Sequence, residues 1–113
     1  MDRRTRLGRE GEDAAVQLLE SSGYVVIARN VHLPGGEIDV IARDRGVIAF
    51  VEVKARGSRR FGSALAAVDA RKRRTLRALA ADWLQIAAPG VPARFDVVTI
   101  EGGRPRLHRG AFA

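Results

Sequence analysis

The sequence contains no cysteine, which excludes disulfides and every thiolate metal site. Its two histidines, His32 and His108, stand far apart and lack the spacing of a zinc centre. Aromatic residues are scarce, with one Trp, one Tyr and four Phe. Trp83 recurs with apolar neighbours at helical spacing, so the sequence offers core rather than a series of stacking platforms for unpaired bases. No apolar run approaches the ~20 residues of a membrane span, and the N-terminus lacks the apolar core of a secretion signal. The chain therefore reads as soluble and cytoplasmic, with no membrane partner. Its 113 residues suffice for one compact domain, 1–113, and not for two.

Acidic residues are also in the minority, 13 against 20 basic ones, for a net charge of +7. The excess is concentrated. Between Lys54 and Arg77 lie nine basic residues and a single acid, Asp69, so that this segment alone carries +8. A local basic patch of this kind implies a polyanionic partner, with nucleic acid the first choice. A solvated, arginine-rich face is the alternative.

Two runs break the ordinary rules of a strand. Gly36-Glu37-Ile38-Asp39-Val40-Ile41-Ala42 and Phe50-Val51-Glu52-Val53-Lys54 are rich in Ile, Val and Phe, as buried strands are. Both nevertheless carry formal charges, which must pair, bind a metal or open onto a cleft. Alternation puts Glu52 and Lys54 on one face and Val53 on the other. The short turn Arg43-Asp44-Arg45-Gly46 makes the runs a hairpin that brings Asp39 close to Glu52. Two carboxylates and an ammonium at one spot suit a hard divalent cation and a phosphate. The competing explanation is a Glu52–Lys54 ion pair that serves only the fold.

The rest of the chain supplies the frame. Leu7 to Ser22 has the stripe of an amphipathic helix, stopped by Gly23. Tyr24–Arg29 reads as a strand and Asn30–Gly36 as a loop with a Pro34-Gly35-Gly36 turn. Gly57–Gly62 is a basic loop, after which Ser63 is positioned to cap a long helix running to about Ala88. Arg94–Ile100 is a fourth strand, and Pro105–Arg109 a short fifth. One α/β domain with a mixed sheet flanked by helices accounts for this order. Lys72 lies on the helix stripe otherwise used by Leu65, Val68, Leu76 and Leu79, so it must point inward or snorkel towards a cleft. Arg71, Arg73, Arg74 and Arg77 fall mainly off that stripe, facing phosphates or solvent. Asp96 interrupts an apolar strand and calls for an arginine partner, Arg94 or one from the helix.

The Gly-Glu-Ile-Asp-Val-Ile-Ala and Phe-Val-Glu-Val-Lys-Ala-Arg runs resemble the core motif of the restriction-endonuclease-like superfamily: an Asp, then Glu or Asp, any residue, and Lys. The chain is more closely similar to the YraN family of small bacterial endonuclease-like proteins. Gly8-Arg9-Glu10-Gly11-Glu12, Gly23-Tyr24, Arg29-Asn30, Phe61-Gly62, the Lys72 helix, Arg94-Phe95-Asp96-Val97-Val98 and Ala111-Phe112 all fit. Archaeal Holliday-junction resolvases share the fold, the Gly-x-x-x-Glu helix and the Glu-Val-Lys strand.

The resemblance implies a restriction-endonuclease-like (tRNA endonuclease-like) fold and a metal-dependent nuclease acting on DNA, structured or branched DNA among its candidate substrates; RNA stays open. A nucleic-acid-binding protein of the same fold without efficient catalysis is the alternative, and a scaffolding role a third. The catalytic set it implies is Glu12, Asp39, Glu52 and Lys54. Asp39, Glu52 and the Val53 carbonyl would hold Mg2+ or Mn2+, and Lys54 would act beside a water or phosphate as donor or general base. Periodicity alone does not choose between Glu10 and Glu12; the Gly8-x-x-x-Glu12 pattern selects the second. Arg56, Arg59, Arg60, Arg71, Lys72, Arg73 and Arg74 would contact nucleic acid, Glu37 would sit at the cleft rim, and family analogy allows a homodimer.

Overall fold

The computed structural model describes residues 3–56 and 65–113. The expected basic loop, Ser63, Arg59, Arg60 and Phe61-Gly62 lie outside them. Helix α1 spans Arg3–Ser21, followed by strands β1 (Val25–Leu33), β2 (Gly36–Asp44) and β3 (Val47–Arg56). A 3-10 turn at Leu65–Ala67 leads into helix α2 (Ala70–Ala87), and β4 (Ala93–Glu101) and β5 (Arg104–Phe112) complete the chain. The five strands lie in chain order in one sheet. All neighbours are antiparallel except β3 and β4, which run parallel and are connected through α2. This is the expected mixed sheet flanked by helices.

Local chemistry explains each boundary. α1 ends where Gly23 takes a φ of +93°, allowing Tyr24 N–H to donate to Leu19 O and Gly23 N–H to Glu20 O. Those bonds satisfy carbonyls that a helix end otherwise leaves open. Arg45 and Gly46 both have positive φ (53° and 82°), the backbone of a tight two-residue hairpin between β2 and β3.

Two expectations need correction. The second helix does not begin at Ser63: α2 starts at Ala70, capped by Asp69, whose carboxylate accepts Lys72 N–H at 3.0 Å. Val68, placed on the helix stripe by its spacing, is buried just ahead of the helix. The loop expected at Asn30–Gly36 is mostly strand. β1 continues to Leu33 because Asn30 absorbs the kink with a φ of 51°, a conformation that Asn tolerates better than most residues.

The sheet divides the core. On one face α1 buries Ala15 and Leu19 against Tyr24, Val40, Ala42, Ala49, Val51, Val98 and Ile100. On the other, Leu79 and Ala80 of α2 close over Ile38, Ile41, Ile48 and Phe50. Trp83 packs edge-on to Phe50 with ring centroids 5.7 Å apart, as core and not as a platform. A fully buried Leu or Phe contributes roughly 1.5–3 kcal/mol, so these two faces carry most of the favourable term. Val25 and Ile27, on the outer strand β1, remain exposed, as does Ile86 of α2. No helix among the described residues is long and apolar enough to cross a membrane.

Asp96 is fully buried in β4 and has the partner it requires. Arg94 Nε donates to it at 3.0 Å, Tyr24 Oη at 2.6 Å and Gly110 N–H at 2.8 Å. Arg94 also reaches Asp44 at 2.6 Å and holds that carboxyl below its ordinary range. The network ties α1's exit, β2, β4 and β5 together at the end of the sheet where β2 meets its hairpin turn.

Candidate active site

The site arises where two strands part. β2 and β3 pair from Asp44↔Val47 as far as Val40↔Val51 and then stop. From there β2 stays with β1 down to Gly36, while β3 follows β4 up to Arg56. Asp39 and Glu52 are the next residues on either side of this fork. Past the last pair, Val53 N–H has no strand partner and donates instead to Asp39 Oδ2 at 2.8 Å. The N–H and C=O of a strand residue point to the same edge, so the Val53 carbonyl faces the fork as well.

The Asp39 carboxylate lies close enough to Glu52 to disfavour its charge. Burial, joined by the Asp39 charge, pushes the Glu52 carboxyl up to about 7; Lys72 and Lys54 act against this. Asp39 is raised too, chiefly by burial, with the Val53 N–H the largest opposing influence. Glu52 Oε2 is buried with no hydrogen-bond partner among the described residues. An unpaired anionic oxygen facing a second carboxylate is costly on its own, and hard oxygen donors of this type fit a divalent cation. Asp39, Glu52 and the Val53 carbonyl are the atoms available to hold it.

A stability consequence follows. The folded protein binds the Glu52 proton more tightly than the unfolded chain, whose value is the ordinary 4.5. This carboxyl therefore stabilises the fold in full below pH 4.5 and loses its contribution as the pH rises through about 7, by at most about 3 kcal/mol. Asp39 shifts the same way, whereas Asp44 acts below its ordinary range and outside this window. Thermal melts of the metal-free protein should fall between pH 5 and pH 8. Glu52→Gln should remove most of that fall; an identical fall in the variant would locate the titration elsewhere.

Around the fork opens a cleft of about 890 Å³, walled by α1, β1, β2 and the end of β3. Lys54 lines it together with Asp39, Glu37 and Arg9. Among the described residues the Lys54 side chain forms neither hydrogen bond nor ion pair, so the competing explanation, a Glu52–Lys54 ion pair that serves only the fold, is not what the structure shows. The ammonium that faces Glu52 is Lys72, 3.7 Å from Oε1 and reaching down from α2. Lys72 therefore snorkels towards the fork, the second of the two courses its place on the stripe allows.

Glu12 also lines the cleft, but its carboxylate is engaged. Arg29 Nε donates to Oε1 at 2.9 Å and Asn30 Nδ2 at 2.8 Å. No three His, Asp or Glu residues among the described ones converge to hold a metal. The site is a two-carboxylate site with Glu12 as a neighbour. Gly11 brings α1 this close: a Cβ there would stand 3.3 Å from Ala55 Cβ, so only glycine fits without displacement.

Arg29, Asn30, Arg9 and His32 line the cleft and were absent from the expected site set. The Arg29-Asn30 motif and the positive φ of Asn30 are the signals that point to them, the first legible in sequence and the second only in structure. His32 Nδ1 lies 3.8 Å from Glu37 Oε2, which places that pair on the cleft wall.

The basic residues divide by occupation. Arg71 and Arg74 are exposed on α2. Arg73 is committed: its Nε donates to Val68 O at 2.9 Å and its guanidinium lies over the Phe112 ring. Arg56, half-buried at the end of β3, has a buried Nε without a partner among the described residues. Of the two kinds of partner expected for Asp96, Arg94 or a helix arginine, the structure uses Arg94, as described above.

A mixed five-stranded sheet flanked by two helices, forked at a carboxylate pair, is an α/β fold compatible with the restriction-endonuclease-like class. The sequence model of the uncharacterised protein family UPF0102 matches residues 11–100, and the chain belongs to that family, the YraN family. A UPF0102 protein of Symbiobacterium thermophilum is 49% identical over 113 residues, covering 95% of this chain and 96% of that protein. One from Ralstonia pickettii is 46% identical over 110 residues, 93% of this chain and 88% of its own length. A third, from Desulfosudis oleivorans, is 41% identical over 115 residues, 99% of this chain and 94% of that protein.

Proposed function

We propose that this protein is a Mg2+- or Mn2+-dependent endonuclease that hydrolyses phosphodiester bonds in DNA, with structured or branched DNA as its substrate. The observation that carries the reading is the Asp39–Glu52 pair at the fork, with Glu52 Oε2 buried and without a hydrogen-bond partner among the described residues. Carboxylates facing a phosphate backbone weaken simple binding, so Asp39 lining the cleft of a basic protein, with Glu52 just behind it, argues for chemistry. A bound divalent cation would lower the pKa of a water and neutralise charge building on the phosphate. Asp39, fixed by Val53 N–H, and Glu52, fixed by burial, hold their oxygens in place for it. Lys54, whose side chain has no partner among the described residues, would donate to a phosphate oxygen or take a proton from the attacking water. Arg71 and Arg74, solvent-facing on α2, supply phosphate contacts of the kind that make affinity salt-dependent.

One observation favours the alternative of a nucleic-acid-binding protein without efficient catalysis. Glu12 is tied to Arg29 and Asn30, leaving two carboxylates at the fork. A cleavage panel decides between them: linear, flapped, single-stranded and four-way DNA, each with Mg2+ or Mn2+, with RNA counterparts as a further arm. Metal-dependent cleavage concentrated on the branched substrates is the expected result. Binding throughout the panel with no cleavage on any substrate would hand the assignment to the binding reading.

A further inference from the structure

Lys72 stands in an unusual place for a residue of a basic patch. Its backbone is pinned in the first turn of α2, because Lys72 N–H donates to the Asp69 cap. Its side chain then leaves the solvated arginines around it and descends to Glu52, with Nζ 3.7 Å from Oε1 and 42% of the side chain still exposed. Lys54, the cation two residues from Glu52 in sequence, makes no such pair among the described residues.

The charge at the fork explains the arrangement. Two carboxylates at a buried fork require positive charge, and among the described residues the strands supply none in direct contact with Glu52. α2 provides it with a long, mobile stem whose head can leave the site without unfolding anything. A divalent cation held by Asp39 and Glu52 would bring two positive charges to the place this ammonium compensates. Like charges a few ångströms apart disfavour each other strongly where water is scarce. Ammonium and metal are therefore competitors for Glu52.

We propose that Lys72 is a built-in counter-ion that holds the place of the divalent cation, pairing with Glu52 in the metal-free protein and withdrawing when the cation binds. This inference rests on the metal-centre reading above. Lys72 sets how tightly the metal binds, by the cost of its displacement. Once released, the ammonium lies on the same helix turn as Arg71 and Arg74, where it adds to the phosphate-binding face. Metal and polyanion thus favour each other's binding through one side chain.

The test is calorimetric titration of Mg2+ without nucleic acid at pH 8.5, where protons no longer compete for Glu52. Lys72→Met should bind Mg2+ about tenfold more tightly than the natural protein, an order-of-magnitude expectation for removing one nearby like charge. Lys72→Gln, which keeps a donor for Glu52 without the charge, should also bind more tightly and serves if the Met variant folds poorly. Lys72→Arg should stay near the natural affinity. Equal or weaker Mg2+ binding in the folded neutral variants would overturn the counter-ion role while leaving the metal centre standing. Failure of the natural protein and all three variants to bind Mg2+ would instead remove the metal-centre reading and this inference with it.

Discussion

Lys54→Ala is expected to lower metal-dependent cleavage by on the order of 10²-fold or more while leaving most of the affinity for DNA intact. Lys54 lines the cleft beside Asp39 and is not spent on Glu52, which pairs with Lys72. Its removal therefore subtracts a donor from the reacting phosphate without breaking a structural ion pair. One charge in a segment of +8 is a small part of the long-range attraction. Asp39→Asn and Glu52→Gln should lose cleavage as fully, yet bind DNA at least as well in the absence of metal, since each removes an anion that repels phosphate. Rates and dissociation constants measured on one substrate for all three variants separate these roles. Parallel loss of rate and affinity in Lys54→Ala would make it a binding residue only, and cleavage that survives all three substitutions would belong to a contaminating nuclease.

The second large effect concerns stability. Asp96→Ala should destabilise the protein by about 3–5 kcal/mol, the usual cost of breaking a buried ion pair from one side. Asp96 is completely buried and accepts from Arg94, Tyr24 and Gly110 N–H, so truncation strands three donors at once. Against a total stability of about 5–15 kcal/mol for a domain, this should lower the melting temperature by on the order of 15 °C. Arg94 would keep Asp44 at 2.6 Å, which holds the loss below that of a fully unpaired guanidinium. A shift of only about 2–3 °C, within the range of an ordinary surface change, would show that the network is dispensable.

The parts of this architecture that local rules govern were readable in advance. The hairpin that sets Asp39 against Glu52 follows from alternation and the short turn at Arg43–Gly46, which the structure narrows to Arg45 and Gly46. The Arg94–Asp96 pair follows from the intolerance of a buried strand for a lone carboxylate. What escaped depended on distant partners. The i, i+2 spacing puts Glu52 and Lys54 on one face, but the ammonium that pairs with Glu52 is Lys72 from the head of α2, and no local pattern reports where α2 docks. Arg73 looked free for phosphate because its spacing leaves it off the apolar stripe, whereas Phe112, nearly 40 positions on, gives it a ring to cover. Glu12 was identified by resemblance, and its engagement with Arg29 and Asn30 becomes visible only when β1 is known to run alongside α1. The start of α2 was misplaced because Ser63 and Asp69 are both competent caps, and the choice fell to the one followed directly by the helix that covers Ile38 and Phe50.

The kink at Asn30 has a bearing on how the molecule keeps to itself. The sheet has two open edges, β1 and β5, and an unpaired edge is a template on which another chain can grow. β5 is guarded by chemistry: Arg104 and Arg106 are exposed on either side of Pro105, which has no N–H to offer. β1 has little such protection in its first half, where Val25 and Ile27 face solvent. Its guard is shape. A register slip between Val26 and Ala28 and the left-handed turn of backbone at Asn30 keep the strand from presenting a flat run to a neighbour. The distortion that delivers the Asn30 amide to Glu12 in the cleft thus also discourages self-association along the edge that carries it.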